Sequence, residues 1–302
     1  MALLHTHMNG DGAHWAKEIF LDGFLDTLAI IPFLFLTYLL MEFIEHKAGD
    51  KAEKVMQRAG IFAPVIGGIL GTVPQCGFSA AASNLYAGRI ISIGTVVAIF
   101  LSTSDEMIPI LISGNVTAGA IALVVLYKAV VGIVVGLLVD AAIRLVKPEK
   151  EKINIDAICD EDNCHCEKGI LHSAIHHTIT ISVFVFVITL AINALVYLIG
   201  EENLGRIMYD KPVISHIIAS IFGLIPNCAA SLALTSLCTN GLITVGTMMS
   251  GLFSGAGVGL LVLFKVNKKT KENFLVMGVI ILCGIVFGIL GDLIFPKELF
   301  II

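Results

Sequence analysis

Two short motifs of matching composition each combine a proline, an amide, a thiol and a hydroxyl inside apolar surroundings. The first contains Pro74, Gln75, Cys76 and Ser79, and the second contains Pro226, Asn227, Cys228 and Ser231. Thiolates are ligands for soft metals and metalloids, whereas amide and hydroxyl groups suit neutral oxygen-rich solutes. Because proline lacks a backbone donor and restricts the preceding residue, each motif also predicts a break between two helices. We therefore interpret the two motifs as halves of one binding site.

The helix that follows each break contributes to the expected chemistry of this site. It begins at or just after the cysteine, so its unpaired amides and the positive end of its dipole face the break. Two such ends approaching from opposite directions favour an anion or a neutral oxygen-rich solute as much as a soft metal. The alternative is that small residues in the motifs only allow close helix packing. Their repetition in corresponding positions of the chain favours the binding site.

A second group of polar residues interrupts an apolar segment of the first half. It comprises Ser102, Ser104, Asp105 and Glu106. Carboxylates at membrane depth are costly unless they are paired, protonated or hydrated, so we predict that they bind a proton or another coupling ion. The matching stretch of the second half begins at Ser254, has no acids, and is glycine-rich enough to unwind and expose carbonyl groups. The alternative is that the first-half segment ends early and its acids lie at the membrane interface.

A third group lies in and after the polar loop that divides the chain. Its candidate metal ligands are Cys159, Cys164, His165, Cys166, His172 and His176. Thiols together with a histidine pair four residues apart are plausible ligands for a soft or borderline metal. The spacing matches no standard zinc pattern, so reduced thiols without a binding role are the alternative. We predict a regulatory metal-binding loop.

Lys128 and His216 are isolated polar residues on apolar segments. For both, we expect hydrogen bonds between packed helices.

The composition defines the class of protein that must position these residues. Of 302 residues, 57% are hydrophobic and 14% are charged, which is too apolar for a soluble domain of this length. The apolar runs are long enough to cross a bilayer as helices and lack the alternation of a membrane barrel. We predict an all-α polytopic membrane protein. No basic block with interleaved aromatic residues suggests nucleic-acid binding, and no cofactor is expected.

The apolar segments fall into two sets of five. The predicted segments are 19–43, 61–73, 76–87, 90–113 and 116–146 in the first set, and 170–199, 213–225, 228–239, 242–264 and 274–295 in the second. A constant offset of 152 residues aligns Pro74 with Pro226 and Cys76 with Cys228, which indicates an internal repeat. We divide the chain into a first membrane repeat (1–146), a cytoplasmic linker (147–168) and a second membrane repeat (169–302).

The short segments on either side of each proline set the orientation of the repeats. Neither is long enough to span comfortably, so each pair is predicted to form a hairpin whose break lies near the bilayer midplane. A hairpin returns to its starting side, so each half makes an odd number of net crossings and the two repeats are inverted. Basic residues collect in 46–58, 147–168 and 265–271. The positive-inside rule places these regions in the cytoplasm and both termini outside.

Together, these features resemble a known family. Val-Pro-Gln-Cys-Gly, Ile-Pro-Asn-Cys-Ala, the Ser-Thr-Ser-Asp-Glu segment and the Cys/His-rich loop resemble the ten-helix heavy-metal exporters, labelled arsenic efflux proteins or manganese transporters. The resemblance covers nearly the whole chain and implies a multi-pass secondary transporter of the bacterial inner membrane that exports a metal or metalloid. It places Pro74, Cys76, Pro226 and Cys228 at the family's motif positions. The chain is also distantly similar to organoarsenical permeases, but has one cysteine per motif where they have Cys-x-Cys.

These residues fit four classes of function to different degrees. The exporter is favoured, and because no phosphate-binding loop is present, a proton or sodium gradient is expected to drive it. An ion-coupled transporter of a small organic or inorganic anion would use the same helix ends. A channel would use the breaks as a selectivity filter. A membrane enzyme is least supported, because no nucleophile, base and orienting residue stand at a recognisable spacing. The lipid bilayer is an expected partner, and a homo-oligomer is compatible with the sequence.

Overall fold

A computed structural model describes most of the chain. It covers scattered residues between 20 and 39, residue 60, and the ranges 62–72, 76–103, 107–113, 116–146, 170–199, 212–225 and 228–295. Within these ranges, all regular secondary structure is helical. The predicted all-α class is therefore confirmed for the part of the chain that the structure describes.

The described residues form eleven continuous helices, and the helical residues scattered between 20 and 39 are grouped under the label α1. The first six are α1 (helical residues between 20 and 39), α2 (Ala63–Gly71), α3 (Cys76–Ala87), α4 (Ile93–Ser102), α5 (Met107–Ser113) and α6 (Ala118–Val146). The second six are α7 (Ile170–Ile199), α8 (Pro212–Gly223), α9 (Cys228–Thr239), α10 (Val245–Ser254), α11 (Val258–Val266) and α12 (Thr270–Ile294).

Several helices have the length and composition of membrane spans. Three apolar stretches among the described residues meet both criteria: Ala118–Leu145, Val245–Val266 and Thr270–Ile294. Large apolar side chains on their outer faces, including Leu138, Leu282 and Leu293, are exposed. Such exposure suits a lipid environment and is unfavourable in water. The chain is a multi-pass membrane protein.

The helix boundaries agree with the sequence in some places and differ in others. Helices α3, α7 and α9 begin and end at the predicted residues. The segments predicted over 90–113 and 242–264 each contain two helices, α4 with α5 and α10 with α11. Thr103 leaves the helical region after α4, with ψ of 130°, and Gly257 has a positive φ of 54° before α11. These backbone changes lie at the polar and glycine-rich stretches that interrupt the two segments.

The helices of the two halves recur at a spacing of 152 residues. Both α3 and α9 span twelve residues, both α4 and α10 span ten, and their first residues are 152 positions apart. In the first half α2, α4 and α6 pack against one another, and in the second half α8, α10 and α12 do the same. The two halves therefore place equivalent helices in equivalent contacts.

The same local interactions begin α4 and α10. The hydroxyl oxygen of Ser92 accepts a hydrogen bond from the Thr95 N–H, and that of Thr244 accepts one from the Thr247 N–H, both at 3.1 Å. Side-chain oxygens at this position satisfy one of the backbone donors that a helix leaves unpaired at its start. Each half thus starts its buried central helix in the same way.

Contacts between the halves are reciprocal. Helix α3 of the first half packs against α11 of the second, and α9 of the second packs against α5 of the first. The central helices α4 and α10 also touch. Exchange of equivalent elements across an interface is the pattern produced by a two-fold relation between two copies.

Candidate transport site

The first junction of interest joins the start of α3 to the break between α10 and α11. The Ser83 hydroxyl lies 2.6 Å from the Gly259 carbonyl oxygen and 3.0 Å from the Ser79 carbonyl oxygen, both of which can accept its hydrogen bond. A Cβ atom added to Gly259 would lie 2.6 Å from the Ser79 Cβ, closer than real Cβ atoms approach. The two backbones meet here because position 259 has no side chain.

The break itself contains three non-helical residues. Helix α10 ends at Ser254, and α11 begins at Val258 after Gly257, whose φ of 54° and ψ of −143° belong to a region accessible mainly to glycine. No side chain caps the start of α11. The unwinding predicted from the glycine-rich sequence is thus confirmed, and it occurs next to the buried start of α3.

The second junction joins the start of α9 to α5. Helix α9 packs against α5, and the Thr235 hydroxyl, which occupies the position equivalent to Ser83, donates to the Ser231 carbonyl oxygen at 2.7 Å. Helix α4 ends at Ser102, just as α10 ends at Ser254. The contact of α3 with α11 therefore has a counterpart in the contact of α9 with α5.

The predicted substrate residues lie at these junctions where they are described. Cys76 and Cys228 are the first residues of α3 and α9. Ser79 is fully buried, and Ser231 is partly buried. The remaining candidates of these motifs lie outside the described residues: Pro74, Gln75, Pro226 and Asn227.

Some of the predicted coupling residues are described by the structure and others are not. Ser102 donates to the Ile99 carbonyl at 3.1 Å, and Ser254 can donate to the Ser220 carbonyl at 2.7 Å. Both serines are fully buried, and the bond of Ser254 connects α10 to α8, whereas that of Ser102 lies within α4. Ser104, Asp105 and Glu106 lie outside the described residues, so their role in coupling stays a prediction.

The predicted metal-binding loop is described only at its end. His172 and His176 lie on the exposed side of α7, whereas the neighbouring His177 is buried and stacks on Tyr38 with ring centroids 5.1 Å apart. Four further candidates lie outside the described residues: Cys159, Cys164, His165 and Cys166. Among the residues that the structure describes, no three potential ligands form a metal-binding group. The loop's metal role stays a prediction.

A buried lysine lies beside the first junction. Lys128 of α6 is completely buried, and its Nζ donates to the Leu252 carbonyl at 2.8 Å and lies 5.7 Å from the centre of the Phe253 ring. Leu252 lies two residues before the end of α10, so the ammonium group connects the first half to the broken helix of the second. The sequence indicated only a packing role, although a charged residue within a membrane span is a functional candidate.

Two carboxylates that the sequence analysis missed occupy equivalent positions. Asp140 of α6 accepts a hydrogen bond from the Gly94 N–H at 2.9 Å, and Asp292 of α12 accepts one from the Gly246 N–H at 2.8 Å. Each also accepts a hydrogen bond from the hydroxyl group that caps the same helix. Their spacing equals the repeat offset of 152, and that was the signal that could have found them.

Within the described ranges, a histidine partner is found for the second carboxylate and not for the first. His216 of α8 lies with Nε2 3.1 Å from the Asp292 carboxylate and Nδ1 2.8 Å from the Ser250 hydroxyl. A serine, a histidine and an aspartate are thus aligned, as in many hydrolases. Ser250 is fully buried between packed helices, however, and is not presented to an external substrate. The arrangement can hold a proton but is not placed to attack a bound molecule.

A polar network joins the halves at another edge of the structure. Arg89 donates to Glu272 at 2.9 Å and to Asn267 at 3.2 Å, and Tyr86 donates to the same carboxylate at 2.5 Å. Arg89 has a φ of 59°, which is unusual for a residue other than glycine, and the equivalent position of the second half is Gly241 with a φ of 71°. Both halves contain the same backbone turn, but only the turn of the first half carries an arginine, which pairs with Glu272 of the second half.

Comparison with known proteins identifies a relationship for the first half and the linker. A family model described as "Putative, 10TM heavy-metal exporter" matches residues 14–180, which is more than half of the chain. The matched range includes the first Pro-x-Cys motif, α2 to α6 and the start of α7. No curated protein and no solved structure matches the chain.

Proposed function

Because the chain belongs to this family of ten-helix heavy-metal exporters, we propose that it exports a metal or metalloid across the bacterial inner membrane by secondary active transport. The observation that carries the proposal is the reciprocal pair of contacts between the halves, α3 with α11 and α9 with α5, made by the two helices that begin at Cys76 and Cys228. Substrate binds between Cys76 and Cys228. Neutral contacts come from the amides and hydroxyls of the two motifs.

The chemistry of the junctions suits a soft or borderline substrate. Cysteine sulfur favours thiophilic metals and metalloids, and the starts of α3 and α9 add backbone donors and the positive end of a helix dipole. Non-helical backbone at membrane depth is tolerated where it is buried in protein or faces a water-filled cavity. The unwound residues 255–257 satisfy this condition beside α3.

The transporter consists of two inverted repeats. Equivalent helices with equivalent contacts support the duplication, and the reciprocal contacts between halves support a two-fold axis. Each half contains α1 or α7, a hairpin formed by two short helices, a broken helix, and a final long helix. That order makes an odd number of net crossings, so the axis lies in the membrane plane and the linker is cytoplasmic.

Export assays on paired cysteine variants test this function. Proteoliposomes are loaded with arsenite or Mn²⁺, and we expect Cys76→Ser and Cys228→Ser each to reduce transport of the true substrate at least about tenfold, since thiolate ligands are lost. Cys283 is also buried in a membrane helix but lies away from the helix starts. Serine at that position should leave transport within about twofold of the unmodified protein. Equal effects of all three substitutions contradict the site.

Lys128 favours a second candidate function, the export of an anion. A buried ammonium group beside the broken helix α10–α11 attracts an oxyanion and repels a divalent cation. Under this alternative, arsenate is transported and Mn²⁺ is not, Lys128→Met abolishes arsenate transport, and the serine variants of Cys76 and Cys228 remain active. Under the metal-export proposal, the cysteine variants fail and arsenate is not a substrate.

A further inference from the structure

The second half contains a buried chain of hydrogen-bonding groups that can hold a proton. His216 of α8 is 3% exposed and stands between the Asp292 carboxylate at 3.1 Å and the Ser250 hydroxyl at 2.8 Å. The three side chains come from α8, α12 and α10, which pack against one another. Asp292 is 26% exposed, so one end of this series of hydrogen-bonding side chains reaches the surface, while His216 at its centre is buried.

The first half provides an internal comparison for this chain. Asp140 caps α4 just as Asp292 caps α10, with a hydroxyl and a glycine N–H as donors in both cases. The positions equivalent to His216 and Ser250 are Pro64 and Ala98. Because the cap forms in the first half without a histidine, capping does not account for His216.

Both protonation states of His216 can be satisfied in the observed geometry. When neutral, the ring donates from Nε2 to Asp292 and accepts the Ser250 hydroxyl proton at Nδ1. When protonated, the ring donates from both nitrogens, and the Ser250 hydroxyl turns to donate to the Gly246 carbonyl, which lies 3.0 Å away. Rotation of one hydroxyl therefore completes the exchange, and no buried polar atom is left unpaired in either state.

Charged or titratable groups also lie on the helices packed around the pair. Cys238 of α9 lies close enough to interact electrostatically with Asp292. Helices α4, α8 and α10 contribute no ionisable side chain other than His216. Lys128 of α6 reaches α10 two residues from Ser250, where its Nζ donates to the Leu252 carbonyl at 2.8 Å. The other ionisable groups on helices that contact α10 or α12 include Tyr127 of α6, Cys228 of α9, Lys265 of α11, and Lys271, Glu272 and Cys283 of α12.

We propose that His216, held between Asp292 and Ser250, is a proton-binding site of the transport cycle. It takes a proton from water through the partly exposed Asp292 and releases it by the same route, with no bond other than the N–H formed or broken. The proposal rests on the proposed secondary transport. Histidine suits this role because its ordinary titration range spans neutral pH.

Two measurements on the full-length protein test the proposal. The first uses ring-¹⁵N NMR of the purified protein, with the His216 resonances identified by their loss in His216→Asn. We expect them to change with pH as the ring takes up and releases its proton across neutral pH. Resonances that stay constant with pH overturn the proposal, whatever the protein transports.

The second measurement follows the pH dependence of arsenite and Mn²⁺ transport in proteoliposomes. His216→Asn should remove most of the dependence between about pH 6 and pH 8, and Ser250→Ala should shift its midpoint by about half a pH unit or more. Ser250→Ala introduces the residue found at the equivalent position 98, so it is expected to fold and decides the outcome if His216→Asn does not. Asp140→Asn is the control and should keep the midpoint.

The outcomes separate the two proposals. A protein that moves neither probe contradicts the export function, while the NMR titration still decides on His216. A protein that transports a probe with an unchanged pH profile in both His216→Asn and Ser250→Ala contradicts the proton site and leaves the export function standing.

Discussion

Asp140 and Asp292 lie 152 residues apart and make the same two kinds of hydrogen bond, each accepting from a glycine N–H and from a capping hydroxyl. Each carboxylate fastens the end of one long helix to the start of the buried helix packed against it. The same pair of hydrogen bonds is therefore present in both halves, and in the second half His216 is a third partner of the Asp292 carboxylate.

Removal of these carboxylates should destabilise the protein unequally. Asp140→Ala loses hydrogen bonds to a charged acceptor, each worth about 1.5–3 kcal/mol. Asp292→Ala loses the equivalent bonds and also leaves the buried His216 without its acceptor, which adds about 1–3 kcal/mol. We expect the apparent melting temperature of the purified protein to fall in both variants and further in Asp292→Ala. A larger fall for Asp140→Ala would contradict this account.

A methyl group at position 259 should disturb the first junction. Gly259→Ala places a Cβ 2.6 Å from that of Ser79, and overpacking of a closely packed contact costs about 1–3 kcal/mol. We expect a lower melting temperature and loss of export. Gly278→Ala on α12 is the matched control, because a Cβ there meets nothing within 4 Å. If the two variants behave alike, close contact at Gly259 is not required.

The turn after α3 can be used to separate backbone strain from ion pairing. Arg89→Ala and Arg89→Gly both lose the contacts to Glu272 and Asn267, but only glycine removes the strain at φ of 59°. The alanine variant should therefore be less stable than the glycine variant by about 1–2 kcal/mol.

The equivalent turn supplies the control for this comparison. Gly241→Ala should lose about 1 kcal/mol, because it introduces a side chain at a φ of 71°. Thermal unfolding of the three variants under identical conditions provides the measurement. Equal stability of Arg89→Ala and Arg89→Gly would show that the turn relaxes on substitution.

The inverted arrangement predicts opposite locations for two equivalent positions. Ala118 and Thr270 are the first residues of α6 and α12, and both are exposed. In a background without native cysteines, we expect an impermeant maleimide to label Ala118→Cys in intact cells and Thr270→Cys only after permeabilisation. Labelling of both from the same side would contradict inversion while leaving the duplication intact.

The sequence predicted helix boundaries well where the chain carries local stop signals. Helices α3 and α9 follow the Pro-x-Cys motifs and match the predicted bounds. The glycine-rich break after Ser254 was also foreseen. The end of α4 at Ser102 was considered only as the alternative in which the first-half segment ends early. The depth of each break in the bilayer stays a prediction.

The proton site depends on contacts that no local pattern contains. Along the sequence, His216 is separated by 34 residues from Ser250 and by a longer stretch from Asp292. An isolated histidine in an apolar segment therefore predicted only a packing hydrogen bond. Comparing the two aspartates across the repeat offset would have drawn attention to the position, because the offset brings together residues that secondary-structure patterns treat separately.

The constant offset of 152 residues makes each half a template for grafting side chains into the other. Pro64→His together with Ala98→Ser would build around Asp140 the same trio that surrounds Asp292, on helices α2, α4 and α6 that already pack like α8, α10 and α12. A chain carrying both trios would contain duplicate titrating histidines. The number of protons coupled to each transported substrate could then be altered by design.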